Sequence, residues 1–357
     1  MKSKVLTRIV ASSSALLLAT ASVLNAQTYI VVDLTALLGG STVAKKVNLN
    51  RQAVGQSGAL YGEHTRAFVW ASGNLQDLGT LPNGDYSSAF DVNKRGAVVG
   101  DSNTATNIRG FIWDTAGGMQ DLGTLPGDTG SRAFGINDSD QVVGYSSGPH
   151  GVAAFIWTKS KGMTSLGVLP GGDTSEAIDI NNAGSAVGFS TTGSGNKHAF
   201  LWTSANGLQD LGTLPAHLTS EAHKINNSGN VIGSSTGPNG THAFLWTTGG
   251  GMKNLGSLNG SFSNALDVND NGEVVGASST AQGGHAFRWS ASAGMEDLNT
   301  LIPSNSGVVL TSATGINNLG IIIAVGAVTT DHSQPIELDD THQHAGPIHA
   351  FLLIPLS

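Results

Sequence analysis

The sequence contains no cysteine, which excludes a disulfide framework and a lipid-anchored cysteine. Charged residues make up only 12% of the 357 residues, about half the usual share. No apolar run after the N-terminal region approaches the roughly 20 residues that a membrane-spanning helix needs. The formal net charge is −8, and such a surface repels phosphate backbones. Nucleic acid is therefore not an expected partner.

Residues 1–26 predict a secretory signal peptide. An apolar run and small residues follow three cations, Lys2, Lys4 and Arg8. The small residues predict cleavage after Ala21 or Ala26, and the apolar run is too short for a membrane anchor. We expect a secreted protein, extracellular or periplasmic, with no membrane span after removal of the leader. Its single domain would occupy residues 27–357, with a net charge near −11 because three cations leave with the leader.

What the chain has in abundance is glycine, with 49 residues, and a repeat of about 44 residues. All six tryptophans occupy one position of the repeat, and a leucine takes that position in a seventh copy: Trp70, Trp113, Trp157, Trp202, Trp246, Trp289 and Leu353. A phenylalanine lies two residues before each of them: Phe68, Phe111, Phe155, Phe200, Phe244, Phe287 and Phe351. Each copy therefore predicts one structural unit that ends near its tryptophan or leucine.

Each unit has four strand-like elements. An asparagine-led turn separates the first two and recurs at Asn48, Asn93, Asn137, Asn181, Asn226, Asn269 and Asn317. The last copy, INNLGIIIAVG, carries two extra residues. The third element, such as AFLW, is apolar at every position, as a strand buried on both faces is. Stacked four-stranded units of this length are typical of β-propeller blades.

The two ends of the chain complement each other. Residues 29–34, YIVVDL, match a fourth strand that has no unit before it. The last unit stops after HAFLLIPLS and lacks a fourth strand. An open stack would need a distinct capping unit at each end, whereas a ring leaves no free edge. We therefore predict an all-β fold, a seven-bladed β-propeller of four-stranded blades whose ring is closed by the N-terminal strand at residues 29–36.

The chain resembles the extracellular HAF-repeat proteins, because His-Ala-Phe recurs at residues 198–200, 242–244, 285–287 and 349–351. The first three units have TRAF, IRGF and AAF instead, which argues against a catalytic role for the repeat histidine. The resemblance implies export and a repeat scaffold, and it implies no established reaction. The strand order also resembles kelch propellers, but their paired glycines are missing, so this likeness concerns architecture only.

The loops after the fourth and second strands of a blade emerge on one face of a propeller, and here they vary in sequence. We expect this face to bind the ligand. The tryptophans are expected to pack between blades, which leaves few loop aromatics for stacking on a glycan: Tyr61, Tyr86 and Phe262. The repeat histidines are expected to bond to the backbone at strand ends.

Three patterns could carry chemistry. An insertion at residues 329–347 is dense in carboxylates and imidazoles, and its candidate divalent-metal ligands are Asp331, His332, Asp339, Asp340, His342 and His344. A solvated acidic loop is the alternative. DVNDNG at 267–272 resembles half a calcium loop, but Ser278 replaces the required glutamate, which favours a hairpin turn. Glu176 and Glu221 begin adjacent units near the channel mouth, where paired carboxylates can act as acid and base.

Two functions remain open at this point. The favoured one is an exported, non-catalytic binding scaffold for a protein or polysaccharide at the cell exterior, with no catalytic residues and no cofactor apart from a divalent metal. The other is a polysaccharide lyase or glycoside hydrolase acting at the channel mouth. The sequence contains no H-E-x-x-H, phosphate-loop or dinucleotide motif.

Overall fold

The computed structural model describes residues 29–34, 42–58, 65–328 and 349–356. They form seven four-stranded antiparallel sheets and one short 3-10 helix, Leu298–Thr300. No helix in these ranges is long and apolar enough to span a bilayer. The prediction of an all-β, seven-bladed propeller is confirmed. The proposed signal peptide lies outside the described residues.

The strands are numbered along the chain, and each blade takes four of them, called a to d from the centre outward. Blades 1 and 2 contain β2–β5 (Thr42–Val47, Ala53–Ser57, Arg66–Ala71, Asn74–Asp77) and β6–β9 (Ser87–Val92, Val98–Asn103, Ile108–Asp114, Gly118–Asp121). Blades 3 and 4 contain β10–β13 (Gly130–Ile136, Val142–Gly148, Gly151–Thr158, Gly162–Gly167) and β14–β17 (Ser175–Ile180, Ala186–Thr191, Lys197–Thr203, Gly207–Asp210).

Blades 5 and 6 contain β18–β21 (Thr219–Ile225, Val231–Gly237, Gly240–Thr247, Gly251–Asn254) and β22–β25 (Ser263–Val268, Val274–Thr280, Gly283–Ser290, Gly294–Asp297). Blade 7 contains β26 (Val308–Ile316), β27 (Ile322–Val328), β28 (His349–Pro355) and, as strand d, β1 (Tyr29–Asp33). The seven a strands contact one another in sequence, including β2 with β26, so they surround the centre.

The N-terminal strand closes the ring. β1 pairs antiparallel with β28, from Tyr29 opposite Pro355 to Asp33 opposite Phe351. Tyr29 is only 2% exposed, and it belongs to an apolar cluster that joins blades 6 and 7. Strand d of the last blade is therefore supplied by the start of the chain, as the sequence predicts.

The apolar core lies between the blades. Each phenylalanine of strand c is at most 1% exposed, and the clusters around them draw residues from two neighbouring blades. Buried serines add a polar link between blades. Ser175 Oγ, for example, accepts a hydrogen bond from Ala154 N at 2.9 Å and donates one to Gly167 O at 2.7 Å, both in the preceding blade. Five blades carry this serine: Ser87, Ser131, Ser175, Ser220 and Ser263.

The asparagine-led turns form a closed ring of hydrogen bonds on one face, here called the asparagine face. The side-chain amide of each asparagine donates to the backbone carbonyl of the asparagine in the next blade. Asn317 completes the circle by donating to Asn48 O at 3.2 Å. Each Oδ1 also caps its own turn; Asn137, for example, accepts from Ser139 N and Gln141 N at 3.0 Å. All seven asparagines are buried, so the ring satisfies polar groups that water cannot reach.

Blade 7 departs from the predicted pattern. Its asparagine-led turn has the ordinary length, because Asn317 N bonds to Ile321 O just as Asn181 N bonds to Ser185 O. Ala324 takes the place of the glycine that other b strands have, and it pairs with Phe351 as Gly188 pairs with Phe200. The expectation of two extra residues in this copy is therefore wrong. Strand a adapts with an additional bulge between Leu310 and Ser312.

Candidate functional site at the central channel

The residues that differ most from blade to blade lie at the loop-side end of the a and b strands. In strand a they occupy the positions flanking the buried alanine, as Ser88 and Phe90 flank Ala89. In strand b they directly follow the glycine that recurs in the repeat, as Tyr145 follows Gly144. We call this inner rim the channel mouth; its charged, polar and aromatic members include Lys45, Gln56, Ser88, Phe90, Asp101, Arg132, Phe134, Tyr145, Glu176, Phe189 and Glu221. Strands a and b are innermost, so the part-exposed members among them face the central channel.

Arg132 and Asp101 form an ion pair across the boundary between blades 3 and 2. Arg132 Nε lies 3.2 Å from Asp101 Oδ2, and the Asp101 side chain is fully buried while Arg132 is 39% exposed. The Tyr86 hydroxyl lies 3.4 Å from the other carboxylate oxygen. Burial raises the pKa of Asp101, although Arg132 and Lys45 oppose that shift. The ion pair engages only Nε of the arginine, and part of the arginine side chain stays exposed.

Lys45 lies beside this pair without a carboxylate partner among the described residues. Its Nζ donates to Ser88 Oγ at 3.0 Å and lies 3.8 Å from the centre of the Phe90 ring. Ser88 in turn donates to Gln56 Oε1 at 2.7 Å. Burial lowers the pKa of Lys45 to about 8, partly offset by the charge of Asp101. A lysine this poorly compensated is unusual for a purely structural role.

Aromatic rings line the same part of the mouth. Phe90 and Phe134 meet edge to face with centroids 5.2 Å apart, and Phe134 lies 5.7 Å from Tyr145. In blade 4, Phe189 lies under the ammonium group of Lys197, 4.1 Å from its ring centre. The expectation counted only loop aromatics, and these four rings are supplied by strands instead. For Tyr145 and Phe189, the signal in the sequence is an aromatic side chain where blades 5 and 6 have Ser234 and Ala277.

Glu176 and Glu221 follow next around the mouth, in blades 4 and 5. Glu221 forms an ion pair with Lys197 at 3.1 Å. Burial raises the pKa of Glu176, the charge of Glu221 adds to the shift, and Lys197 and Arg132 oppose it. The two carboxylates that the sequence singles out are thus neighbours in different environments. One is ion-paired, and the other has a raised pKa.

Below the mouth, charged side chains from the a strands meet across the centre and form a floor. Lys46 of blade 1 donates to both carboxylate oxygens of Asp267 at 2.8 Å. Asp267 belongs to blade 6, so this contact bypasses blade 7, which lies between the two in the ring. Lys224 lies 3.0 Å from Asp179 and 4.0 Å from Asp91. The three aspartates also accept backbone N–H bonds from the next blade, as Asp179 Oδ2 does from Ile225 N at 2.9 Å. The surrounding carboxylates hold the pKa of Lys224 above its usual range despite burial, while burial raises the pKa of Asp179.

Two blades carry glycine at the floor position. A Cβ on Gly135 would lie 2.9 Å from Asp179 Cα, and one on Gly315 would lie 3.4 Å from Lys46 Cα. These glycines therefore allow the neighbouring strands to approach closely. The same arrangement explains DVNDNG at 267–272: Asp267 belongs to the floor, and Asn269 begins an ordinary hairpin turn, with Gly272 N bonded to Asn269 O. The hairpin interpretation is supported.

Three of the four repeat histidines bond to carboxylates, not to the backbone as the sequence suggested. His198, His285 and His349 place Nδ1 within 2.6–2.9 Å of Asp210, Asp297 and Asp33 respectively, each on strand d of its own blade. His242 faces Asn254 in that register and instead lies 5.3 Å from the ring of His217. The repeat pattern did not indicate these aspartates of strand d as partners of the histidines. The pairs belong to separate blades, so they do not share a site.

The other predicted sites stay predictions. The candidate metal ligands Asp331, His332, Asp339, Asp340, His342 and His344 lie outside the described residues. Within the described ranges, no three His, Asp or Glu side chains gather in an arrangement suited to a metal ion. A shallow cavity of about 190 Å³ opens on the asparagine face between blades 1 and 2, beside Gln52, Arg95 and Trp113. Its arginine is already paired with Asp140, and it holds no comparable cluster of charges.

Comparison with known proteins supports the fold alone. No protein-family model and no curated protein matches the chain. Among solved structures, it is similar to a prolyl endopeptidase at 10% identity, with a TM-score of 0.53 over 85% of this chain and 47% of that one. It is similar to a puromycin hydrolase at 11% identity, with a TM-score of 0.50 over 81% of this chain and 50% of that one. It is also similar to the virginiamycin B lyase of Staphylococcus aureus at 11% identity, with a TM-score of 0.47 over 91% of this chain and 99% of that one. This chain spans about half the length of the first two proteins. At such identities the likeness identifies the architecture, a β-propeller, and no activity.

Proposed function

We propose that the protein is an exported, non-catalytic binding scaffold whose ligand site is the channel mouth. The observation that carries the proposal is that residues that differ between the seven repeats lie together at the channel mouth. The same seven hairpins hold identical asparagines at one end and different charged and aromatic side chains at the other. The mouth residues contact one another across blade boundaries, as Arg132 contacts Asp101 and Lys45 contacts Ser88. A rigid ring with one variable end is suited to recognition.

Export and family membership belong to the same proposal. The leader at residues 1–26 supports secretion to the periplasm or the exterior, and the recurring His-Ala-Phe supports membership of the extracellular HAF-repeat proteins. The proposed ligand is a polysaccharide. Aromatic rings beside hydrogen-bonding and charged groups suit the faces and hydroxyls of sugars, and the negative chain argues against nucleic acid.

A glycan library tests this proposal. The protein lacking residues 1–26 is incubated with immobilised polysaccharides, and both retention and new reducing or unsaturated ends are measured. We expect retention without cleavage, loss of retention in the double variant Arg132→Ala/Tyr145→Ala, and no loss in Arg95→Ala on the asparagine face. Equal retention by both variants would remove the mouth as the site.

The environment of Glu176 favours one alternative, a glycoside hydrolase or polysaccharide lyase at the same mouth. A carboxyl group with a raised pKa beside an ion-paired carboxylate, Glu221, is the combination that acid–base catalysis uses. New sugar ends in the library assay would establish this alternative in place of the non-catalytic scaffold. Glu176→Gln would then abolish cleavage while retaining binding.

A further inference from the structure

One part of the mouth carries an excess of positive charge. Lys45, Ser88, Asp101 and Arg132, here called the cationic sector, bring two cations and one carboxylate together. This arrangement stands out in a chain whose formal net charge is −8. One further negative charge would neutralise the sector. A ligand that supplies it gains Coulomb energy in partly buried surroundings, where screening by water is weak.

Arg132 is oriented in advance for a planar anion. Its Nε is held by the buried Asp101, and the described residues give its terminal nitrogens no hydrogen-bond partner. Two parallel N–H groups of a guanidinium match the two oxygens of a carboxylate. Because the side chain is fixed from behind, little conformational entropy is lost when a ligand binds.

Lys45 supplies the second cation. Its described contacts are the Ser88 hydroxyl, at 3.0 Å, and the face of Phe90, neither of which neutralises an ammonium charge. The charged groups that bear on it are Asp101, which stabilises the ammonium form, and Arg132, which opposes it. The pKa of about 8 reports this lack of compensation, and a bound anion would raise it.

We propose that the cationic sector binds the carboxylate of an acidic sugar, a uronate unit within a glycan. The inference rests on the proposed function of the mouth and names its ligand class. A single carboxylate neutralises the sector. Phe134 and Tyr145 offer ring faces to the sugar, and the nearby Glu176 and Glu221 accept hydrogen bonds from its hydroxyls. A phosphate dianion would exceed the charge required.

Calorimetric titration with three matched probes tests the inference. The probes are a galacturonic acid trimer, its methyl ester and a neutral galactose trimer. We expect the acid to bind at least about tenfold more tightly than the ester, as the loss of charge-assisted hydrogen bonds implies. Arg132→Gln and Lys45→Gln should each remove this preference, whereas Lys94→Gln, 61% exposed on the asparagine face, should retain it. Thermal melts confirm that each variant is folded.

The pH dependence supplies a second readout. Because binding raises the pKa of Lys45 from about 8, the affinity for the acid should fall as pH rises above 8, with uptake of up to one proton per trimer bound. Lys45→Gln should lose this dependence, and Lys45→Arg should bind without it. A dependence unchanged in Lys45→Gln would overturn the role of Lys45.

The outcomes separate this inference from the function on which it rests. Equal binding of all three probes, with loss in Arg132→Gln, would retain the mouth as a glycan site and overturn the uronate assignment. Equal binding of a sulfated galactose trimer and the acid would overturn the carboxylate specificity. Absence of binding to every probe and every library glycan would overturn both proposals.

Discussion

The asparagine face and the channel mouth are opposite ends of the same seven a–b hairpins, yet they differ in almost every respect. At the asparagine face one residue recurs in every blade, and its amide completes a circle of hydrogen bonds. At the mouth the corresponding ends carry lysine, serine, arginine or glutamate according to the blade. Repetition stabilises the ring, and departures from repetition provide the chemistry of a site.

The two ends also differ in how completely their polar groups are satisfied. The asparagines are buried, and each is hydrogen-bonded through both its amide oxygen and its amide nitrogen. At the mouth, Lys45 and Glu176 have shifted pKa values because burial outweighs their partial pairing. Asp101 Oδ2 is buried with no hydrogen bond beyond its ion pair. Such incompletely compensated groups destabilise the fold and are characteristic of binding sites.

The largest expected effect comes from removing the closing strand. A chain that begins at residue 36 lacks β1 and leaves the edge of β28 unpaired, and it removes the buried Tyr29 from its cluster. We expect loss of the cooperative thermal transition and association through the free edge, seen by circular dichroism and size-exclusion chromatography. The chain that begins at Gln27 is the control. An unchanged transition in the shorter chain would show that the ring does not need β1.

Substitution in the asparagine ring should lower the free energy of unfolding by less than removal of β1 does. The loss should still be several times larger than for substitution of exposed residues. Asn137→Ala removes two accepted and two donated hydrogen bonds in a buried turn, and we expect a loss of about 3 kcal/mol in urea unfolding. Asn137→Asp keeps the acceptor oxygens, but an ionised carboxylate has no donor. A protonated carboxyl supplies one O–H donor, so the loss of unfolding free energy should be smaller at a pH where the carboxyl is protonated. A loss below about 0.5 kcal/mol for Asn137→Ala would remove the ring as a source of stability.

At the mouth, removing a charge should stabilise the protein. Well below pH 8, Lys45 is protonated in both the folded and unfolded states, and its lowered pKa then costs up to about 3 kcal/mol. Lys45→Met should therefore be more stable than the parent at pH 7. The difference should shrink as pH rises from 8 toward 10.5, because the folded parent then loses the unfavourable proton. A constant difference across this range, measured by urea unfolding, would contradict the lowered pKa.

The smallest effect concerns an exception within the asparagine face. Arg51 has a φ of 60°, whereas the corresponding residue in blade 2 is Gly96, with a φ of 83°. A side chain in this conformation costs roughly 1 kcal/mol, so Arg51→Gly should raise the free energy of unfolding by about that amount. Gly96→Arg should lower it in return. No gain in the first variant would show that Arg51 makes compensating contacts.

The repeat made the architecture readable from sequence. Seven aligned phenylalanines and asparagines fixed the number of blades, and the unmatched strand at residues 29–34 predicted the closure. These features are local in sequence and repeated, so each copy supports the interpretation of the others. The same regularity misled in blade 7, where Ala324 replaces a glycine and the strand adjusts by a bulge.

The site was less readable because it depends on contacts between blades. Glu176 and Glu221 could be placed near the mouth, but the pairing of Arg132 with Asp101 joins residues whose relation appears only in the folded ring. The floor is a clearer case. Lys224 reaches Asp91 from three blades away, and no local pattern indicates that contact. The histidine–aspartate pairs join strands c and d, and they depend on a register that the repeat alone does not indicate.

Ring closure is the claim on which the two faces depend, and one distance tests it. The chain has no cysteine, so Ile30→Cys and Ile354→Cys would carry the only two spin labels. These residues lie opposite each other in the β1–β28 pair, and adjacent strands are about 4.8 Å apart. We predict strong dipolar broadening and a narrow label separation within about 20 Å. A broad distribution extending well beyond that distance would contradict the closed ring.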